Sequence, residues 1–218
     1  MKVVIFMYPG VTMLDAIGPY EVLRNLQNSE ICFVAEKKGL VKADSSFIEM
    51  NIQYDITEIN HADILLIPGS LIEYLNIAKN KKILDWINKV SITSIKTVSV
   101  CTGSIILAAA GILQNKKATC HWSCIDLLSE FSAIPTRERI IQDGKIITAA
   151  GVSAGIDMAI HLVNQLEGRQ SAEAIQLAIE YDPSPLFNSG NFSTAKPEVI
   201  NLSKQKMELA LAQSDLSD

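Results

Sequence analysis

Four short runs of β-branched and aliphatic residues, Val3–Met7, Ile31–Glu36, Ile64–Ile67 and Thr97–Val100, limit what this chain can become. Each is too short for a helix and apolar on both faces, as strands covered on two sides must be. Helical periodicity predicts helices over Leu14–Leu26, Lys82–Val90, Gly103–Ala110, Cys124–Ser129, Ala154–Leu166 and Ser171–Glu180. Strands alternating with helices predict a mainly parallel sheet with helices on both faces. Val41–Ile52 alternates polar and apolar residues and is expected to form a small antiparallel excursion at a sheet edge. A hairpin is expected across Arg139–Thr148, turning at Asp143-Gly144. After Glu180 the character changes: 181–190 is expected to be extended over the body of the domain, and Pro197–Ser214 to be a last surface helix.

The 218 residues suit a single domain, 1–218, carrying a C-terminal extension from about 181. A net charge of −5 argues against a nucleic-acid partner and against an anionic membrane surface. No apolar run approaches the ~18 residues a spanning helix needs. Met1–Met7 is too short for a signal peptide and stops at Tyr8-Pro9-Gly10, so a cytoplasmic protein is expected. Among the four cysteines, Cys32 alternates into a strand. Cys120 and Cys124 flank His121, but Trp122 interrupts and no second cluster accompanies them, so no metal site is expected.

Cys101 lies where the strand Thr97–Val100 gives way to the helix beginning at Gly103. Small neighbours, Ser99 and Gly103, permit the sharp turn of a nucleophile elbow. Helix N–H groups there are expected to favour the thiolate of an outward-pointing Cys101. The competing reading is a buried structural cysteine. Three further places hold groups such a thiol needs. Gly69 and Ser70, in the turn after Ile64–Ile67, offer backbone N–H groups to a developing oxyanion, or form an ordinary Pro-Gly turn. Asp15 follows the first strand and is either a proton shuttle or a helix N-cap. His121 is either a partner for the thiol or a structural histidine. Glu21 is expected to be solvated or salt-bridged, His161 and Asp157 to form a helix-face pair, and His61 to be exposed.

These segments, taken together, resemble the ThiJ/PfpI superfamily. The matching residues are Leu14-Asp15, Gly18-Pro19, Glu21-Val22, Ile67-Pro68-Gly69, Val100-Cys101-Thr102-Gly103-Ser104 and Ala109-Ala110-Gly111-Ile112-Leu113. The match continues through Ala118-Thr119-Cys120-His121-Trp122, Gly151–Asp157 and Glu180–Gly190. The resemblance implies an α/β, flavodoxin-like three-layer sandwich related to class I glutamine amidotransferase domains. Within the superfamily the pattern is most similar to the isonitrile hydratases. That implies a homodimer, no cofactor, and a small electrophilic substrate attacked by Cys101, with Asp15 assisting proton transfer and Thr102 beside the nucleophile. The implied sequence is thiolate addition to the isocyanide carbon, protonation of nitrogen from Asp15 or water, then attack of water on the thioimidate to give an N-substituted formamide. The same segments are similar to glyoxalase- or amidase-type members and to the sensor domain of AraC-type regulators, so another enzyme of the superfamily or a ligand or redox sensor stands as the alternative. Three positions set this chain apart: Ser70 stands where the hydratase-like pattern has a second glycine, Thr102 where the PfpI proteases have histidine, and Cys120 where relatives have threonine.

Overall fold

The computed structural model describes residues 1–214, which divide into two compact units, 1–179 and the segment from Glu180 on. The elements of the first unit begin with β1 (Lys2–Phe6), α1 (Met13–Leu23), β2 (Glu30–Ala35), β3 (Gly39–Lys42), β4 (Glu49–Ile52) and β5 (Tyr54–Asp55). They continue with β6 (Ile64–Ile67), α2 (Tyr74–Ile77), α3 (Lys81–Thr93), β7 (Lys96–Val100), α4 (Gly103–Ala109) and β8 (Lys117–Ala118). A 3₁₀ helix (Ile125–Phe131), β9 (Ile134–Pro135), β10 (Ile140–Asp143), β11 (Ile146–Ala149), α5 (Ala154–Glu167) and α6 (Arg169–Ala178) complete it. The second unit carries α7 (Pro197–Ser214).

Seven strands form one sheet in the order β10-β11-β7-β6-β1-β2-β5, parallel throughout except for the β10–β11 hairpin. This is the α/β three-layer architecture expected. Val3, Val4, Ile5, Ile64, Leu65, Leu66 and Ile67 are fully buried, which is why these strands read as unbroken apolar runs. Each such side chain contributes about 1.5–3 kcal/mol by leaving water. The hairpin turns at Gly144, whose φ of 63° suits the Asp-Gly turn.

Several boundaries differ from expectation. α1 stops at Leu23, because after the internal Pro19 the backbone continues as a succession of turns to Leu26. The stretch expected as a helix over Cys124–Ser129 is the 3₁₀ helix Ile125–Phe131, capped by Ser132 at a left-handed φ of 60°. The excursion 41–52 is antiparallel, as expected, but forms a two-stranded sheet of its own, β3–β4, with Gly39 opposite Ile52. The two-residue strands β5, β8 and β9 are too short to leave a periodic trace.

The topology brings the carboxyl ends of β1, β6, β7 and β11 to one edge, where ligands of open α/β sheets bind. Tight backbone packing fixes that edge. A Cβ on Gly103 would lie 2.1 Å from the Ile67 carbonyl oxygen, so α4 starts almost in contact with the end of β6. Gly103→Ala is expected to destabilise the fold by at least ~2 kcal/mol, since neither backbone can retreat. Urea denaturation would check this through a lowered midpoint at an unchanged m-value.

Candidate active site

Cys101 follows β7 directly and has φ +58°, in the left-handed region that ordinary residues avoid. Strain of this kind costs on the order of 1 kcal/mol or more and persists only where the surroundings enforce it. Here the Cys101 amide donates to the Ala150 carbonyl at 2.7 Å, just past β11, while Gly103 is jammed against Ile67. The strand-to-helix turn is therefore a true elbow.

The thiol itself departs from expectation. Cys101 is only 6 % exposed rather than outward-pointing. Burial, then the charges of Asp15 and Cys120, push its proton affinity well above that of a free thiol. Backbone N–H groups of Thr102 and Val152 oppose this shift but do not outweigh it. A thiol shifted in this direction would need a base to become a nucleophile.

Asp15 has the properties of that base. It is fully buried in the first turn of α1, whose N-cap is Thr12, so the N-cap alternative for Asp15 does not hold. Gly69 N–H donates to Asp15 Oδ2 at 2.9 Å. Its other oxygen, Oδ1, has no hydrogen-bond partner of normal geometry among the described residues. Burial raises the carboxyl to about 7, while the Gly69 amide and the neighbouring Cys101 thiol restrain the shift. A carboxyl balanced near neutrality can both take and return a proton. An oxygen left unpaired in a dry site is costly unless something comes to meet it.

The loop after β6 is committed to holding these groups. Both amides expected to be free for an oxyanion are already engaged: Gly69 N–H by Asp15, and Ser70 N–H by Thr102 Oγ1 at 2.9 Å. Thr102 Oγ1 returns a bond to the Ser70 carbonyl at 2.8 Å, so loop and elbow are doubly joined. Gly69 has no alternative residue, because a Cβ there would lie 2.6 Å from both Thr102 N and Oγ1. Tyr8 secures the loop from below, its buried phenol donating to the Pro68 carbonyl at 3.0 Å.

His121 makes its hydrogen bond within its own loop. Its Nδ1 bonds to Ser123 Oγ at 2.7 Å, and desolvation lowers its proton affinity. Among the described residues no hydrogen bond joins it to Cys101; the titratable groups that act on the thiol are Asp15, first, and Cys120. The ring occupies space left by Gly151, where a Cβ would come within 2.8 Å of Cδ2. His161 bonds to Gln142 and Gln165, and Asp157 bonds to Arg139. Glu21 pairs with Arg24 at 2.7 Å, His61 lies 3.5 Å from Asp63, and Cys32 is buried. No cluster able to hold a metal ion occurs among the described residues.

Two residues that touch these groups were not singled out from the sequence. Val152 lies in the Gly151–Asp157 motif, but nothing in an apolar residue announces that its amide faces a thiol. Tyr74 is an isolated aromatic in a four-residue helix, which leaves no periodic signal.

Residues 1–165 match the model of the DJ-1/PfpI family. The chain belongs to that family. It is 34 % identical over 207 residues to the isonitrile hydratase of Pseudomonas putida, covering 94 % of this chain and 90 % of that protein. It is also 34 % identical over 170 residues to CdhR, a helix-turn-helix transcriptional regulator of Pseudomonas aeruginosa, but that match spans 50 % of the regulator. Among solved structures, a ThiJ/PfpI family protein from Pseudomonas syringae superposes with a TM-score of 0.89 at 34 % identity, covering 98 % of this chain and 90 % of the other. Schizosaccharomyces pombe DJ-1 shares the fold, with a TM-score of 0.73 at 19 % identity over 84 % of this chain and the whole of the other.

Proposed function

We propose that the protein hydrates a small isocyanide to an N-substituted formamide, with Cys101 as nucleophile and Asp15 as proton shuttle. One observation carries this reading. A buried carboxyl poised at about 7, with one unpaired oxygen, adjoins a thiol on a strained elbow in a chain 34 % identical to an isonitrile hydratase.

The terminal carbon of an isocyanide carries a lone pair and accepts a nucleophile at that same atom. Asp15 takes the thiol proton as sulfur attacks, and the C–S bond forms. The electron pair displaced from the C≡N bond moves onto nitrogen, while the carbon keeps its own lone pair and the negative charge, so the first proton goes to carbon rather than nitrogen. Asp15 returns it, giving the thioimidate R–N=CH–S. Water then adds to the C=N carbon and nitrogen gains a proton. The C–S bond breaks, releasing R–NH–CHO and restoring the thiol. Thr102 holds the loop against the elbow, and the Thr102 and Val152 amides favour charge on sulfur. Desolvation of His121 favours its neutral form. Gly69 acts through Asp15, and Ser70 through Thr102.

Incubation with a panel of alkyl and aryl isocyanides is expected to yield the formamides, detected by mass spectrometry. No turnover across the panel by folded protein whose Cys101 still alkylates would overturn the assignment. Consumption of α-oxoaldehydes instead would favour a glyoxalase-type reaction at the same thiol. The likeness to CdhR supports a sensor as the second reading; selective peroxide oxidation of Cys101 without isocyanide turnover would favour it. A homodimer in the cytoplasm accompanies the proposal, and sedimentation at micromolar protein would test the assembly.

A further inference from the structure

Ser70, one of the positions that set this chain apart, does more than face Thr102. Its Oγ accepts the backbone N–H of Tyr74 at 2.7 Å, so the first residue of α2 is tied to the loop that contacts the elbow. Tyr74 is buried, and its phenol oxygen lies 3.5 Å from Cys124 Sγ. Cys124 opens the 3₁₀ helix, and both that helix and α2 pack on α4, the helix that starts immediately after Cys101. Tyr74 and Cys124 are thus brought together from two separate segments on the flank of the nucleophile's own helix. Cys120 is buried, and its thiol acts on Tyr74 as that of Cys124 does.

We infer that Tyr74 and Cys124, fastened in place by Ser70, form the wall that limits the size of the group attached to the electrophilic carbon. The inference deepens the proposed reaction and rests on it for the identity of the substrate. A phenol ring has two side-chain torsions, and here both its backbone and its tip are bonded, so the wall cannot easily yield. Its lining is neutral as well. Burial and the nearby thiols Cys124, Cys120 and Cys101 raise the proton affinity of Tyr74, and burial and Cys124 raise that of Cys120. Such a lining accommodates compact, uncharged, apolar substituents and disfavours charged ones.

The test reads Cys101 itself and needs no knowledge of the substrate. Alkylation of Cys101 by compact iodoacetamide and by bulky N-cyclohexylmaleimide is followed by peptide mass spectrometry, with circular dichroism confirming the fold of each variant. Tyr74→Ala is expected to raise the bulky-to-compact rate ratio at Cys101 at least tenfold. Ser70→Gly and Tyr74→Phe, which each remove a single fastening, should raise it by a smaller factor and serve if Tyr74→Ala does not fold. A ratio within twofold of the parent in every folded variant overturns the wall. A raised ratio without isocyanide turnover would leave the wall standing and remove the proposed reaction. Turnover without a change of ratio would do the reverse. With both, kcat/KM for cyclohexyl over methyl isocyanide should rise in the same order of variants.

Discussion

Asp15→Asn is expected to make the protein inactive and, above neutral pH, more stable. Burial raises the native carboxyl to about 7, whereas an exposed aspartate has its ordinary value of 3.8. Between those values the folded state holds a proton that the unfolded chain has released. Linkage then makes wild-type stability fall as pH rises through this window, and the loss is complete above about pH 7. Asparagine has no such titration. Its Oδ1 can still accept the Gly69 amide, and its NH₂ takes the place of the unpaired oxygen. The variant should be more stable than wild type by on the order of 2–4 kcal/mol at pH 8.5 and nearly equal to it at pH 4. Hydration should fall by about 10²–10⁴-fold, the usual contribution of a positioned acid–base group. Wild-type kcat/KM should rise with pH through about 7, because the base must be ionised to accept the thiol proton. Thermal melts at the two pH values and a pH–rate profile check both halves.

Removing the nucleophile gives the largest loss expected. Cys101→Ala and Cys101→Gly should both abolish formamide production, since neither can form the C–S bond. Their stabilities should differ in a definite sense. Each loses the sulfur, but only alanine keeps a Cβ at φ +58°. The glycine variant should be more stable than the alanine variant by about 1 kcal/mol, the cost of holding a side chain in that region. Equal stabilities would mean that the elbow is not strained.

The sheet was legible in the sequence because its strands are buried on both faces. Ile64–Ile67 could hardly be anything else once helices flank it. The elbow was legible too, from one cysteine between an apolar strand and Gly103. The ionisation of its thiol was not. Helix N–H groups argue for a thiolate, yet burial and the Asp15 and Cys120 charges weigh more, and burial is set by distant packing. Gly69 and Ser70 were placed correctly at the sheet edge, but their amides serve side chains rather than standing free. That follows from Asp15 and Thr102 converging on one loop from α1 and the elbow, 54 and 32 residues away in the chain. His121 was the natural partner by residue type, and only the fold shows that Asp15 lies nearer in chemical effect. The short elements, α2 among them, escaped because two to four residues carry no period.

The most direct test of the pairing is the rate of Cys101 alkylation by iodoacetamide as a function of pH, resolved by peptide, in wild type and Asp15→Asn. Wild-type reactivity should rise through about pH 7 as the carboxyl becomes a base. In the variant that inflection should vanish, leaving only a rise at more alkaline pH than a free thiol shows, where the buried thiol ionises unaided. Identical profiles for the two proteins would contradict the account, since Asp15 would then have no hold on the proton of Cys101.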